Sequence, residues 1–170
     1  MALIKRQIFY SFHYANDVFR VQQIRNIGQL EDNKPVSANE WEEVKRKGKD
    51  NIKSWIDTNI KYRSCVVVLV GKETHEREWV RYEIEKAWTE KKGLLGIYIH
   101  NLRDPRFSAN PPLYGKSLKG TNPFDTFTFT GTTTKLSSVI QCYDPNPSDP
   151  YNDIAKNIER WVTKAIDDRK

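Results

Sequence analysis

Glu83 is the residue whose surroundings in the chain best suit it for chemistry. It lies in Glu76-Arg77-Glu78-Trp79-Val80-Arg81-Tyr82-Glu83-Ile84-Glu85-Lys86-Ala87-Trp88, a stretch without glycine or proline that ends at Lys91-Lys92-Gly93. Good helix formers, a cationic last turn and a stopping glycine predict a helix. Val80, Ile84, Ala87 and Trp88 recur at helical spacing as its buried stripe. Glu83 lies one turn after Trp79 and one before Ala87, on the border of that stripe, whereas Glu85 points further out. A carboxylate beside an indole on the rim of an apolar face can have its ionisation and its partners controlled. The same spacing also fits one acid among several on a solvated, salt-bridged helix, and spacing alone does not choose.

Other chemistries find little support. The two cysteines, Cys65 and Cys142, fall in predicted strands, as buried thiols in a reducing cytosol would. There is no CxxC and no His-Cys cluster, so no zinc site is expected. His13, His75 and His100 are far apart and would meet only through the fold. No GxGxxG and no Walker A run is present, which excludes a Rossmann grip and a P-loop. The first strand ends in Ser-Phe-His rather than in carboxylates, unlike a phosphoacceptor receiver. A net charge of +6 invites a nucleic-acid reading. The bases are scattered among acids, however, and the densest cluster, Lys45-Arg46-Lys47-Gly48-Lys49, adjoins Glu40, Glu42 and Glu43. A basic solvated surface, or attraction for a phosphorylated small molecule, accounts for the charge equally well. No nucleic-acid partner is expected.

The elements that must position Glu83 are legible around it. Ser64-Cys65-Val66-Val67-Val68-Leu69-Val70-Gly71 is a short β-branched apolar run, the pattern of a strand buried on both faces. Leu94-Leu95-Gly96-Ile97-Tyr98-Ile99-His100 is a second, which completes a βαβ unit with parallel strands. Gln7 to Phe12 reads as a first strand, followed by a helix capped by Asn16 or Asp17 that runs to Ile27 and stops at Gly28. Its inward side chains are Val18, Val21, Ile24 and Ile27. A polar segment follows from Gln29 to Asn39 with an Asn33-Lys34-Pro35 turn, then a helical turn at Trp41 to Val44. The next helix spans Lys49 to Lys61 with Ile52, Trp55, Ile56 and Ile60 on one face. Residues 101–134 form a long loop whose Phe124 to Thr130 alternate like a strand. A last strand is predicted at Ser138 to Tyr143. After the Asp144 to Pro150 link comes a helix burying Ile154, Ile158, Trp161, Val162 and Ala165. No apolar run approaches the roughly 18 residues of a membrane span, and the start lacks a signal-peptide core. Neither a membrane partner nor an exported location is expected.

This order predicts an α/β fold, a flavodoxin-like open sheet that is mainly parallel, with helices on both faces and 64–70 central. Such sheets bind ligands beyond the strand C-termini, where strand order reverses. There the Ser11-Phe12-His13 turn and the Glu83 helix become neighbours around one concave site. A separation of more than about 15 Å, roughly four extended residues, would break that expectation.

Phe9-Tyr10-Ser11-Phe12-His13-Tyr14 resembles the opening strand of TIR domains. The valine strand followed by Trp79-Val80-Arg81-Tyr82-Glu83 resembles the TIR Ser/Trp-x-x-x-Glu helix. Asn26-Ile27-Gly28, Asn33-Lys34-Pro35-Val36-Ser37 and Gly96 to Leu102 are similar to the TIR-like proteins of the Thoeris anti-phage system. The likeness covers about residues 6 to 165 and implies one TIR-like domain over residues 1–170. It departs from plant and animal TIR domains at 29–48, which is longer and more polar than the usual BB loop.

The resemblance implies an NAD⁺-cleaving enzyme with Glu83 as the catalytic residue, NAD⁺ as substrate and no cofactor. It implies Ser11, Phe12, His13 and Trp79 as substrate-binding residues, and Trp41 and His100 as structural. It further implies a cytoplasmic protein able to form a homo-oligomer. Its product, a cyclic ADP-ribose isomer or an ADP-ribose conjugate, would activate a separate effector after phage infection. Two other readings stay open: a non-enzymatic TIR-like interaction module, and a flavodoxin-like nucleotide or flavin binder. The first turn lacks the Ser/Thr/Gly-rich phosphate loop that flavin would need.

Overall fold

The computed structural model describes residues 7–27 and 38–170. Its frame is a parallel sheet in the spatial order β1 (Ile8–Phe12), β2 (Cys65–Val70), β3 (Gly93–Tyr98), β4 (Cys142–Tyr143). As the apolar run predicts, β2 is central and every residue of it is buried. Strand pleating sends alternate side chains to opposite faces. Cys65, Val67 and Leu69 join one core with side chains of α1 (Tyr14–Arg25) and α5 (Pro150–Asp167). Val66, Val68 and Val70 join a second with α3 (Lys49–Lys61) and α4 (Glu78–Thr89). The fold is therefore the expected flavodoxin-like α/β arrangement. Among the described residues strand order does not reverse; instead the chain changes faces between α1 and α3.

Several local expectations are corrected. The helix after β1 begins at Tyr14, earlier than predicted, because His13 caps it: its Nδ1 accepts from the Asn16 amide at 3.3 Å. Asp17, freed from capping, is buried, as is Arg20, while Val18 and Ile27 are only half-buried. The predicted stop at Gly28 and the Asn33-Lys34-Pro35 turn lie outside the described residues. The turn predicted at 41–44 is a longer helix, α2 (Ala38–Arg46). The alternating Phe124 to Thr130 patch is not a strand. Proline opens a 3-10 turn at Pro123–Thr126, and a single antiparallel bridge joins Thr128 to Lys135. Phe124 is wholly buried, with its ring against Gly96. The last strand shrinks to Cys142–Tyr143, since 136–138 forms another 3-10 turn.

The long loop after β3 is tied to α1 by one buried side chain. Arg20 Nη1 donates to Asp17 Oδ1 at 3.0 Å, Nε to the Leu102 carbonyl at 2.9 Å and Nη2 to the Gly115 carbonyl at 2.8 Å. Burial pushes Asp17 up to about 6, against the pull of the adjacent guanidinium. Asp17 also dictates Gly71 beyond β2: a Cβ there would lie 2.1 Å from its Oδ2. Removing one partner of a buried ion pair strands the other charge, and Arg20→Ala also orphans two carbonyls. The expected loss is about 3–5 kcal/mol by urea unfolding. A loss under about 1 kcal/mol would mean that the loop holds without this anchor.

Candidate functional site

A cleft of about 550 Å³ opens between the C-terminal end of β1 and the start of α4, within the volume range of small-molecule sites. Four of the five predicted site residues line it: Phe12, His13, Trp79 and Glu83. Ser11 is buried behind the wall, where its hydroxyl neighbours the Glu83 carboxyl. The expected meeting of the first turn and the central helix is thus realised.

Glu83 sits deeper than its position on the edge of the stripe predicts. Val80, Ile84 and Ala87 seat α4 on the sheet, and Glu83, within that face, is left 6 % exposed. Burial pushes its pKa up to about 8, and the Ser11 hydroxyl pulls weakly the other way. That hydroxyl does not complete a hydrogen bond of normal geometry: among the described residues, Ser11 Oγ and Glu83 Oε2 both lack a partner. Buried polar atoms are normally paired. An unpaired carboxyl facing a cleft is therefore a group left for a ligand.

The other walls are mainly aromatic. Phe12 tilts against Tyr14 with ring centroids 5.4 Å apart. Trp79 meets Tyr82 edge-on at 5.9 Å, and the Tyr82 hydroxyl donates to Asp57. His13 is buried rather than a surface turn residue. Because its Nδ1 accepts the capping bond, its proton belongs on Nε2, 3.9 Å from Glu73 Oε2. Burial and the Arg77 charge hold its pKa below the usual value despite Glu73, so the ring is neutral.

Tyr14, Trp55, Lys45 and Arg77 also line the cleft, and sequence reasoning did not place them there. Trp55 was predicted simply as part of the inward face of α3. That helix runs antiparallel to the strands, so the start of its apolar face overlooks the strand tips; this signal was available. His100, expected to be structural, is buried beyond β3 against Tyr98 and is not a wall of the cleft. The Trp41 side chain lies outside the described residues. Among the described residues no three His, Cys, Asp or Glu side chains are grouped to hold a metal ion, and no helix is long and apolar enough to cross a membrane.

A parallel sheet covered on both faces, with a carboxyl-bearing helix at its strand tips, defines the molecule as a TIR-like α/β protein. Residues 9–104 match the family described as Thoeris protein ThsB, TIR-like domain, and the chain belongs to that family. It is also 33% identical over 126 residues to a protein of Bacillus cereus (strain MSX-D12) named "Putative cyclic ADP-D-ribose synthase ThsB1". That match covers 71% of this chain and 62% of the relative, so the chain spans less than two thirds of the relative's length.

The raised Glu83 pKa has a measurable consequence. The folded protein keeps a proton up to about pH 8, whereas an ordinary glutamate releases it near 4.5. Stability linked to this group is present below pH 4.5 and is lost as pH rises to 8. Glu83→Gln escapes that loss. Its stability relative to wild type should therefore rise across this window, by on the order of 4 kcal/mol at 1.36 kcal/mol per pKa unit. Urea unfolding at pH 4.5, 6, 7 and 8.5 measures this. A difference independent of pH would mean that the carboxyl is solvated or paired in solution.

Proposed function

We propose that this protein cleaves the glycosidic bond between nicotinamide and ribose in NAD⁺ and converts the remainder to an ADP-ribose-derived signal, with Glu83 as the catalytic residue. The observation that carries this reading is the desolvated, unpaired Glu83 carboxyl in an aromatic cleft of about 550 Å³. The name of the Bacillus cereus relative supports the same chemistry.

Nicotinamide in NAD⁺ is already a cationic leaving group and needs no acid. As the bond from C1′ to nitrogen breaks, its electron pair passes to the ring, which leaves neutral, and positive charge develops at C1′ as in other glycoside cleavages. A carboxylate close to C1′ stabilises that charge in a site shielded from water. With a pKa of about 8, Glu83 is largely neutral in the free protein at pH 7. The cationic ring of the bound substrate favours the ionised form that the reaction requires. Trp79 and Phe12 offer apolar surface to the leaving ring, His13 forms part of the wall, and Ser11 sits behind it beside the Glu83 carboxyl. Capture of C1′ by a nucleophile of the same molecule, with loss of its proton, gives a cyclic product; capture by another acceptor gives a conjugate. NAD⁺ serves as substrate rather than as cofactor. The product would act on a separate effector during anti-phage defence, inside the cell, with synthesis triggered by infection.

The test uses lysate of phage-infected cells expressing each variant, with ADP-ribose-containing products measured by mass spectrometry. Glu83→Gln should lower product about 10²–10³-fold, as loss of a preorganised electrostatic contact does. Glu85→Gln, exposed on the opposite side of the helix, should leave it unchanged. Equal product from Glu83→Gln and wild type would refute the assignment. For NAD⁺ loss by the triggered protein, kcat/KM should rise with pH and level off above about 8, since it reports the free-enzyme carboxyl.

A further inference from the structure

We infer that Arg77, together with the uncapped N-terminus of α4, forms a subsite for the pyrophosphate of the dinucleotide; the inference rests on the NAD⁺ reading above and adds where the substrate's anionic centre is held. Two basic side chains other than His13 line the cleft, Lys45 and Arg77. Lys45 faces Glu42 at 3.7 Å. Arg77 is exposed and, among the described residues, makes no side-chain hydrogen bond or ion pair. The acids on either side of it line the same cleft, but Glu78 is paired with Lys49 at 2.9 Å and Glu76 lies 3.6 Å from the His75 ring, so neither holds the guanidinium. Arg77 lines the cleft together with His13, the residue that follows β1.

Arg77 is also the N-cap residue of a 12-residue helix, and its side chain makes no capping bond. The first backbone bond of that helix runs from the Arg81 amide to the Arg77 carbonyl. The amides of Glu78, Trp79 and Val80 therefore have no partner within the helix, and they carry the positive end of its dipole. The second observation is on the same helix: Glu83 Oε2, more than nine-tenths buried, is unpaired and faces the same cleft. Glu83 follows Arg77 by six positions, about 9 Å along the axis at the α-helical rise. One end of the helix thus presents a free cation and free amides, and the next turns present a carboxyl. A dinucleotide has the complementary pattern, a pyrophosphate separated by one ribose ring from a carbon that becomes positive. The guanidinium is suited to phosphate oxygens by its fork geometry.

The test is isothermal titration of the purified full chain with two probes, ADP-ribose, which has the pyrophosphate, and nicotinamide riboside, which lacks it. Arg77→Ala should weaken ADP-ribose binding by about 10-fold or more, the scale of a charge-assisted hydrogen bond. It should leave nicotinamide riboside binding unchanged, and Arg77→Lys should recover part of the loss. Arg25→Ala, in the last turn of α1 at the opposite end of the sheet, controls for net charge. Arg77 is exposed, so thermal melting should match wild type. ADP-ribose binding within about twofold of wild type in Arg77→Ala, or equal loss for both probes, would overturn the subsite. So would failure of ADP-ribose to bind the wild-type chain. In each of those cases Glu83-dependent NAD⁺ loss would still stand as a separate result. Conversely, Arg77-dependent ADP-ribose binding without any NAD⁺ loss would uphold the subsite and remove the cleavage reaction.

Discussion

The desolvation of β2 on both faces is the constraint on which the rest of the molecule depends. A strand with no exposed residue must be paired along both edges and covered above and below, or its amides and its valines would both be unsatisfied. The pairing of Phe12 with Leu69 and of Val70 with Tyr98 brings the tips of β1, β2 and β3 to one end of the sheet. Covering the second face requires α4 to press Val80, Ile84 and Ala87 onto it. Glu83 lies between those residues along the helix, so the packing that covers the strand also carries the carboxyl out of water. Its burial is a by-product of the core, and its placement at the strand tips gives that burial a use.

The protein contains two buried carboxyls handled in opposite ways. Asp17 is paired with Arg20, whose remaining donors hold two loop carbonyls. In that network the guanidinium neutralises the Asp17 charge through Oδ1, although Oδ2 has no hydrogen-bond partner among the described residues, and Arg20 fastens the segment after β3 to α1. Glu83 has only a serine hydroxyl beside it and no cation within reach among the described residues. Both feel desolvation first, yet Asp17 is pushed to about 6 and Glu83 to about 8. The difference is the guanidinium. A compensated acid stabilises a fold; an uncompensated one at a cleft stores an interaction for something that enters.

His13 shows how one side chain serves both ends of this arrangement. Its Nδ1 starts α1, and this fixes the tautomer and orients the ring at the cleft wall. A helix cap and a wall of the site are then the same group.

The sequence by itself determined the parallel sheet, the central valine strand, the helix of Glu83 and its approach to the Ser11–His13 turn. Those follow from period and composition: a two-face-buried strand and an amphipathic helix each have one arrangement that hides their apolar atoms. The TIR resemblance also rested on contiguous residues. Tertiary structure decided what contiguity cannot encode. Asp17 and Arg20 read as ordinary surface residues of a helix until loop carbonyls 82 and 95 positions from Arg20 accept its remaining donors. The Phe124 to Thr130 alternation reads as a strand, but the site beside Gly96 admits Phe124 as a single buried ring with no strand partner. Trp55 and Arg77 become cleft residues only because antiparallel α3 and the start of α4 converge on the strand tips. The degree of Glu83 burial was likewise out of reach, because helical phase gives a side chain's direction while its desolvation depends on what is packed opposite.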